Sequence, residues 1–387
     1  MAGAGAFGKN HLRVYRELEA GGFGVALVAA VEPDEGRAAE YAAQYGIPVF
    51  ATVDELLSAD LKLDAATVAV PTVHHHAVAS ALLDAGLDLL VEKPLAASLA
   101  EADDLIERAA KGNRILQPGH LERFNPAVLA IESKLRRPMF FEAHRLSVFT
   151  PRALDVDVVL DLMIHDLDIV LTFAGSPVRE VRAVGLPILS PKVDIANVRV
   201  EFESGCVANF TASRVSTERV RKLRFFEPRQ YVSIDYARQD LLVIRIDEKD
   251  QASTTAEKVD ALLKALPAHI AAMVPRKVAE DLVAGKVDPA LVVKYAAMAK
   301  IDPAVIAQFT QPAGPAPGLS FVKPEIAPGE PLRLEIESFL NSVRTRQTPR
   351  VTAHQGRAAL ALALEIQSTM AAHAKRAGLE DFFKPGV

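Results

Sequence analysis

Leu87-Asp88-Leu89-Leu90-Val91-Glu92-Lys93-Pro94 decides the fold. The apolar run reads as a buried strand of a parallel sheet. Pro94 ends it, because proline has no N–H for the ladder. Glu92 and Lys93 therefore stand at the carboxyl end of a strand, the edge at which open α/β sheets bind ligands. A lysine held there, partly desolvated, can exchange protons nearer neutral pH than a free one.

Outward from this stretch, strands and helices alternate. Gly24–Val31 is an apolar strand and Pro33–Tyr45 an Ala-rich helix. Ala65–Val70 is a second strand, stopped by Pro71, and His75–Ala85 is a helix closed by Gly86. Ser98–Ala110 follows with a capping box of Ser98 and Glu101, and Ile115 begins another short strand. This βαβ rhythm predicts an α/β domain over residues 1–121, a parallel sheet with helices on both faces.

The pattern then changes. Phe140–Phe149 alternates as a strand, and Val158–Phe173 reads as a helix ending near Gly175. Strand-like runs follow at Glu180–Val184, Ala196–Glu203, Cys206–Ser213, Lys222–Phe226, Tyr231–Asp235 and Leu241–Ile246. They predict an α+β domain with a large open, mostly antiparallel sheet, made of residues 122–250 and 319–387. Leu332–Arg344 and His354–Ala377 supply two amphipathic helices to it. Residues 251–318 read as a helical insertion followed by a Pro/Gly linker.

The chain has 387 residues, half of them apolar, and a net charge of −5 with mixed signs. That supports two proper cores and argues against a nucleic-acid surface, which needs a concentrated basic face. A single cysteine, Cys206, leaves no internal disulfide and no cysteine-based metal site. No apolar stretch has the length of a membrane span, and no secretory leader is visible, so the expected setting is cytoplasmic.

Gly3-Ala4-Gly5-Ala6-Phe7-Gly8 fits G-x-G-x-x-G and precedes a helix. Gly3, Gly5, Phe7 and Gly8 would line a pyrophosphate, which the helix N-terminus attracts with free N–H groups and its positive dipole end. Glu32, at the end of the next strand, suits the adenosine ribose hydroxyls and favours NAD over NADP, with Arg37 beside it as a further cofactor contact. The domain is thus read as a Rossmann dinucleotide-binding domain with one departure. Only Met1 and Ala2 precede Gly3, so the first, central strand is missing as written. The reading adopted is a start assigned too far downstream; a fragment and a true truncation are the alternatives.

Asp161, His165 and Asp168 have the spacing of one helix face. A carboxylate can orient an imidazole, and an imidazole can relay a proton to or from a substrate hydroxyl. In His74-His75-His76, consecutive side chains point apart, so no metal site is expected; one of the three faces the cleft after Pro71-Thr72. Arg123, Asn125 and Asp168 are candidate substrate contacts, arginine being suited to phosphate or carboxylate.

With these residues in place, the chain resembles the glucose-fructose oxidoreductase / inositol dehydrogenase (Gfo/Idh/MocA) family. The resemblance rests on Gly3–Gly8, on Ala69-Val70-Pro71-Thr72 with His75, on Glu92-Lys93-Pro94, and on Asp161 with His165. It implies that Lys93 is the catalytic lysine, His165 the acid/base or substrate-orienting histidine, and Asp161 its nearby carboxylate. It implies a cofactor site including Pro71, Thr72 and His75, with Glu92 on the nicotinamide ribose, a cis Lys93–Pro94 bond, and a homo-oligomer, dimer or tetramer, formed through the open sheet. Gly119–Ala127 resembles the bacterial branch that oxidises the 3-hydroxyl of UDP-N-acetylglucosamine for lipid A or related glycans. A free polyol, inositol or cyclic sugar is the alternative substrate, and a non-catalytic truncated member the alternative of another class.

Overall fold

The computed structural model describes residues 1–150, 156–246, 255–272, 274–283, 286–287 and 319–379. The chain forms two compact units. The larger comprises Met1–Pro228, Ser233–Leu241 and Pro324–Val387, the smaller Arg229–Val232 and Leu242–Lys323.

In the larger unit, strands β1 (Ala30–Val31), β2 (Val49–Phe50), β3 (Ala65–Val68), β4 (Asp88–Glu92) and β5 (Leu116–Gly119) are all parallel where they pair. Helices α1 (Gly8–Ala20), α2 (Glu35–Tyr45), α3 (Val53–Ser58), α4 (His75–Asp84) and α5 (Leu99–Lys111) connect them. Successive side chains of a strand face opposite sides. Leu89 and Val91 accordingly enter a core with Leu82 and Leu105, while Leu90 enters another with Leu12 and Leu18. Capping sets the helix starts: Asp34 accepts from the Arg37 N–H at 2.9 Å, and Ser98 accepts from the Glu101 N–H at 3.3 Å.

The strand that the sequence reading finds missing is represented by Met1 and Ala2. Ala2 bridges Val31 on one side and Val68 on the other, both in parallel. Its N–H donates to the Thr67 carbonyl at 2.8 Å, and its carbonyl accepts from the Ala69 N–H at 2.8 Å. Residues 24–29, expected as strand, are not strand in the structure, and only Ala30–Val31 pair. Beside them lies a cavity of ≈720 Å³ lined by Met1, Val25, Leu27, Ala65 and Thr67 among others. The Met1 ammonium at its edge donates to the Ala29 carbonyl at 3.0 Å, and burial lowers its pKa to about 6. Appending about six β-forming apolar residues before Met1 should fill the cavity and pair both neighbours. The expected gain is roughly 2 kcal/mol, or about 2–3 °C in melting temperature for a chain of this size. An unchanged melting curve would show that the cavity does not accept a strand.

The second sheet has the order β10-β6-β9-β8-β7 within the larger unit, from β6 (Phe140–Leu146), β7 (Val178–Leu186), β8 (Ile195–Phe202), β9 (Val207–Ser213) and β10 (Val220–Glu227). All these pairs are antiparallel except β6 with β9, as the sequence reading of a mostly antiparallel sheet requires. The helix expected over Val158–Phe173 is in two parts, a π-helical turn at Val159–Met163 and helix α7 at Ile164–Ala174, closed by Gly175 at φ 55°.

One C-terminal helix lies elsewhere than expected. Pro331–Thr345, read as part of the second domain, packs Leu332, Ile336 and Phe339 into the core with Leu12, Leu18 and Leu90 of the first sheet. Its apolar stripe shares that core with α1. Helix Ala353–Arg376 packs against α7, β7 and α5.

In the smaller unit, Val243–Ile246 pair antiparallel with Leu319–Val322. Helices Thr255–Ala265 and Arg276–Val283 share a core of Val259, Leu262 and Ala279. Ala268–Ala271 form a further short helix, while residues 251–254, 273, 284–285 and 288–318, with the Pro/Gly segment 312–318, lie outside the described residues.

Candidate active site

The glycine turn is built for close approach. Gly3 has φ 85°, and a Cβ there would meet the Val70 nitrogen at 2.7 Å. A Cβ on Gly8 would fall 1.9 Å from the Gly3 carbonyl oxygen. A Cβ on Gly5 would meet nothing within 4 Å, so at Gly5 the bare backbone faces open space. Phe7, exposed, occupies the N-cap of α1 without a capping side chain, and the Lys9 and Asn10 N–H groups of the first turn donate to the Gly5 and Phe7 carbonyls at 3.2 and 2.9 Å. Glu32, buried at the end of β1, accepts from Arg37 Nη2 at 2.8 Å and from the Asp34 N–H at 3.1 Å. An uncapped helix start, an open glycine and a carboxylate at the next strand end fit a dinucleotide.

Lys93 follows β4, and its bond to Pro94 is cis. Its side chain keeps 17% exposure. Nζ donates to the Asp161 carbonyl at 2.6 Å and the Leu160 carbonyl at 3.4 Å, and lies 3.9 Å from Asp161 Oδ1. Both carbonyls belong to the π-helical turn, a local widening frequent at functional sites. Burial lowers the Lys93 pKa below the ordinary lysine value; the Asp161 and Glu92 carboxylates oppose this, and the Arg145 cation adds to it. His165, in the first turn of α7, is partly exposed. Burial, then the charges of Lys93 and Arg145, hold it well below the ordinary imidazole range, so it is neutral at neutral pH. The structure thus brings Lys93, Asp161 and His165 together.

Glu92 is held from the other side. His11 Nε2, on the buried face of α1, bonds Glu92 Oε1 at 2.8 Å. Gly119, paired with Glu92 across β4 and β5, leaves the room: a Cβ there would lie 3.0 Å from Glu92 Oε2. His75 is buried rather than turned to the cleft. Its Nδ1 is 2.8 Å from the Pro94 carbonyl and its Nε2 2.9 Å from the Val70 carbonyl, so the ring ties the ends of β3 and β4 together. Pro71 and Thr72 form the turn just before it.

The expected substrate contacts are placed differently. Arg123, Asn125 and Asp168 are all buried. Arg123 Nη1 donates to Thr172 Oγ1 at 2.5 Å and lies 3.6 Å from Asp168 Oδ1. Asn125 caps the helix Pro126–Glu132 and donates to the Tyr236 carbonyl at 3.0 Å. Asp168 is paired inward because the π-turn changes its phase relative to Asp161. These three hold the fold beneath the site.

The sequence reading missed Arg145. It is buried on β6, bidentate to Asp166 at 2.7 and 3.2 Å, bonded to Glu122 at 3.1 Å, and stacked 5.1 Å from the Tyr236 ring. It is a fixed cation behind Lys93 and His165. Alternation along β6 placed it inward, but nothing local names its partners.

Comparison with known proteins agrees with this geometry. The model of an oxidoreductase family with an NAD-binding Rossmann fold matches residues 1–120, and a GFO/IDH/MocA C-terminal domain matches residues 127–229. The chain is 34% identical over 317 residues to UDP-N-acetylglucosamine 3-dehydrogenase of Acidithiobacillus ferrooxidans, covering 77% of this chain and 96% of that one. A solved structure of that enzyme superposes with a TM-score of 0.74 at 30% identity over 96% of each chain. Inositol 2-dehydrogenase 1 of Saccharopolyspora erythraea is 36% identical over 35% of this chain and 40% of its own.

Proposed function

The chain belongs to the Gfo/Idh/MocA family of oxidoreductases with an NAD-binding Rossmann fold, and from that premise we propose that it oxidises a ring hydroxyl of a nucleotide sugar, the 3-hydroxyl of UDP-N-acetylglucosamine or a close analogue. The observation that carries the reading is Lys93 Nζ, poised on the Asp161 turn beside a neutral His165. Likeness to the Acidithiobacillus enzyme over nearly its full length supports the substrate class.

Gly3, Gly5, Phe7 and Gly8 would hold the pyrophosphate, Glu32 and Arg37 the adenosine ribose, and Glu92 the nicotinamide ribose. NAD bound there supplies the hydride acceptor. Lys93, in its neutral form, takes the proton of the substrate hydroxyl, and neutral His165 donates a hydrogen bond to the same oxygen. Asp161 and Arg145 bias Lys93 in opposite directions, which keeps its proton exchangeable.

Purified protein should form NADH with NAD and UDP-N-acetylglucosamine. NADH formation with myo-inositol but none with UDP-sugars would instead favour the free-polyol reading, which the inositol dehydrogenases support over a shorter stretch. The pH dependence has a definite sign. Below the lowered pKa of Lys93 the lysine is charged and cannot accept a proton, so kcat/KM should rise with pH through that value and then level off. Stability has its own acid limb. His165 is kept neutral by the fold, whereas in the unfolded chain it titrates near the ordinary 6.5. The unfolded state therefore binds more protons as pH falls below about 6.5, and melting temperature should fall with it. A kcat/KM that declines as pH rises from neutral would remove Lys93 as the base.

A further inference from the structure

Behind Lys93 lies a set of buried polar groups that the reaction as described does not use. Glu335, on the helix Pro331–Thr345, is 0% exposed, and neither carboxylate oxygen has a hydrogen-bond partner among the described residues. His120, just beyond β5, is 1% exposed, with both ring nitrogens likewise unpartnered. Gln117 Oε1 and Asp168 Oδ2 are unpartnered and buried as well. Two contacts pair these residues. Gln117 Nε2 is 3.4 Å from the Glu335 carbonyl, His120 Nδ1 is 4.0 Å from Asp168 Oδ2, and Glu335 interacts electrostatically with Glu92 and Asp168. Buried polar atoms so close together are ordinarily served by enclosed water.

Several titratable or polar groups lie around Glu335 and its partners. From β4 comes Glu92, itself bonded to His11 of α1; from α1, Tyr15; from α7, Asp168, beside Arg123; and from β5 and its end, Gln117 and His120. Among the described residues no group of three or more acidic, histidine or cysteine side chains could hold a metal ion. Arg123 lies 3.6 Å from Asp168 and His11 bonds Glu92, which leaves Glu335 as the carboxyl without a partner among the described residues, and a proton can neutralise it.

We propose that Glu92, Asp168, Glu335 and His120 enclose a proton-holding chamber, in which Glu335 carries the resident proton and which receives, through enclosed water, the proton leaving Lys93. This rests on the oxidising role given above. When the CH–OH group is oxidised, the C–H hydrogen leaves with its electron pair to the oxidised nicotinamide, the C–O bond becomes a carbonyl, and the hydroxyl proton goes to Lys93. Passing that proton to the chamber returns Lys93 to its neutral form, and the chamber releases one proton to solvent per turnover. Three carboxyl groups with one proton have room for a second. His120, held neutral by burial, has one donor and one acceptor nitrogen and so can pass a proton on. Burial, then the Glu92 and Asp168 charges, push the Glu335 carboxyl well above its ordinary range. Glu335 is a positioning residue here, acting through its neighbours.

The test compares wild type with Glu335→Gln, which keeps the shape and neutrality of the protonated acid. Without cofactor at neutral pH, wild type should show the infrared carbonyl band of a protonated carboxyl, sensitive to deuterated water and lost in the variant. A carboxyl whose folded pKa is raised contributes least at high pH, so the melting temperature of Glu335→Gln should exceed that of wild type by an amount that grows from pH 5 to pH 8. Turnover should fall roughly tenfold with KM unchanged, and its pH profile should change shape. Glu335→Leu gives the same comparison if the glutamine variant fails to fold. A missing band, a band that survives the substitution, or wild-type turnover and pH profile in the variant would each overturn the proposal. If wild type oxidises no sugar, the functional reading fails on its own, while the band and the melting series still report on the proton.

Discussion

Lys93→Met should lower turnover by roughly a factor of 10³, within the range for losing a general base, and leave NAD affinity within about twofold. Methionine keeps the length and packing of the lysine stem but has no group to accept a proton. The loss should therefore appear in kcat with little change in KM, because the lysine acts on a proton that moves only in the transition state. Single-turnover NADH formation, with NAD titration by fluorescence alongside, separates the two quantities. Turnover within tenfold of wild type would mean that Lys93 only lines the site and that another group takes the proton.

Arg145→Met should cost about 3–5 kcal/mol of stability, because it leaves Asp166 and Glu122 buried without their cation. The same change removes one of the charges that depress His165, so the His165 pKa should move up toward its ordinary value. Denaturant unfolding measures the first effect, and NMR titration of the histidine the second. Adding Asp166→Asn should recover part of the stability, since it removes one of the stranded charges. A loss below about 1 kcal/mol would put the trio in the class of weak surface pairs.

The parallel sheet was legible because its signals are local. The apolar run at Leu87–Val91, the stop at Pro94 and the cap at Ser98 each act within a few residues. That Lys93 lies against the Asp161 turn was legible for a related reason: strand end and helix face place the two. The groups that support them were hidden by distance along the chain. His11 reaches Glu92 across 81 residues, and Gln117 meets the Glu335 carbonyl across 218. No periodicity encodes such a meeting. Arg123, Asn125 and Asp168 were misplaced because charged and amide side chains beside a cleft usually face water. Here the π-turn and the Asn125 cap draw them inward, and each finds a buried partner. The helix Pro331–Thr345 went to the wrong sheet because an amphipathic stripe specifies that a helix packs, not on what.

The most direct test of the account follows the hydrogen itself. UDP-N-acetylglucosamine carrying deuterium at C3 is mixed with the protein and NAD, and the reduced nicotinamide is analysed by mass. The account predicts deuterium on the nicotinamide ring, a 3-keto sugar, and a rate slowed by the label. Unlabelled NADH, or no reduction with this sugar while another hydroxyl compound is oxidised, would contradict it.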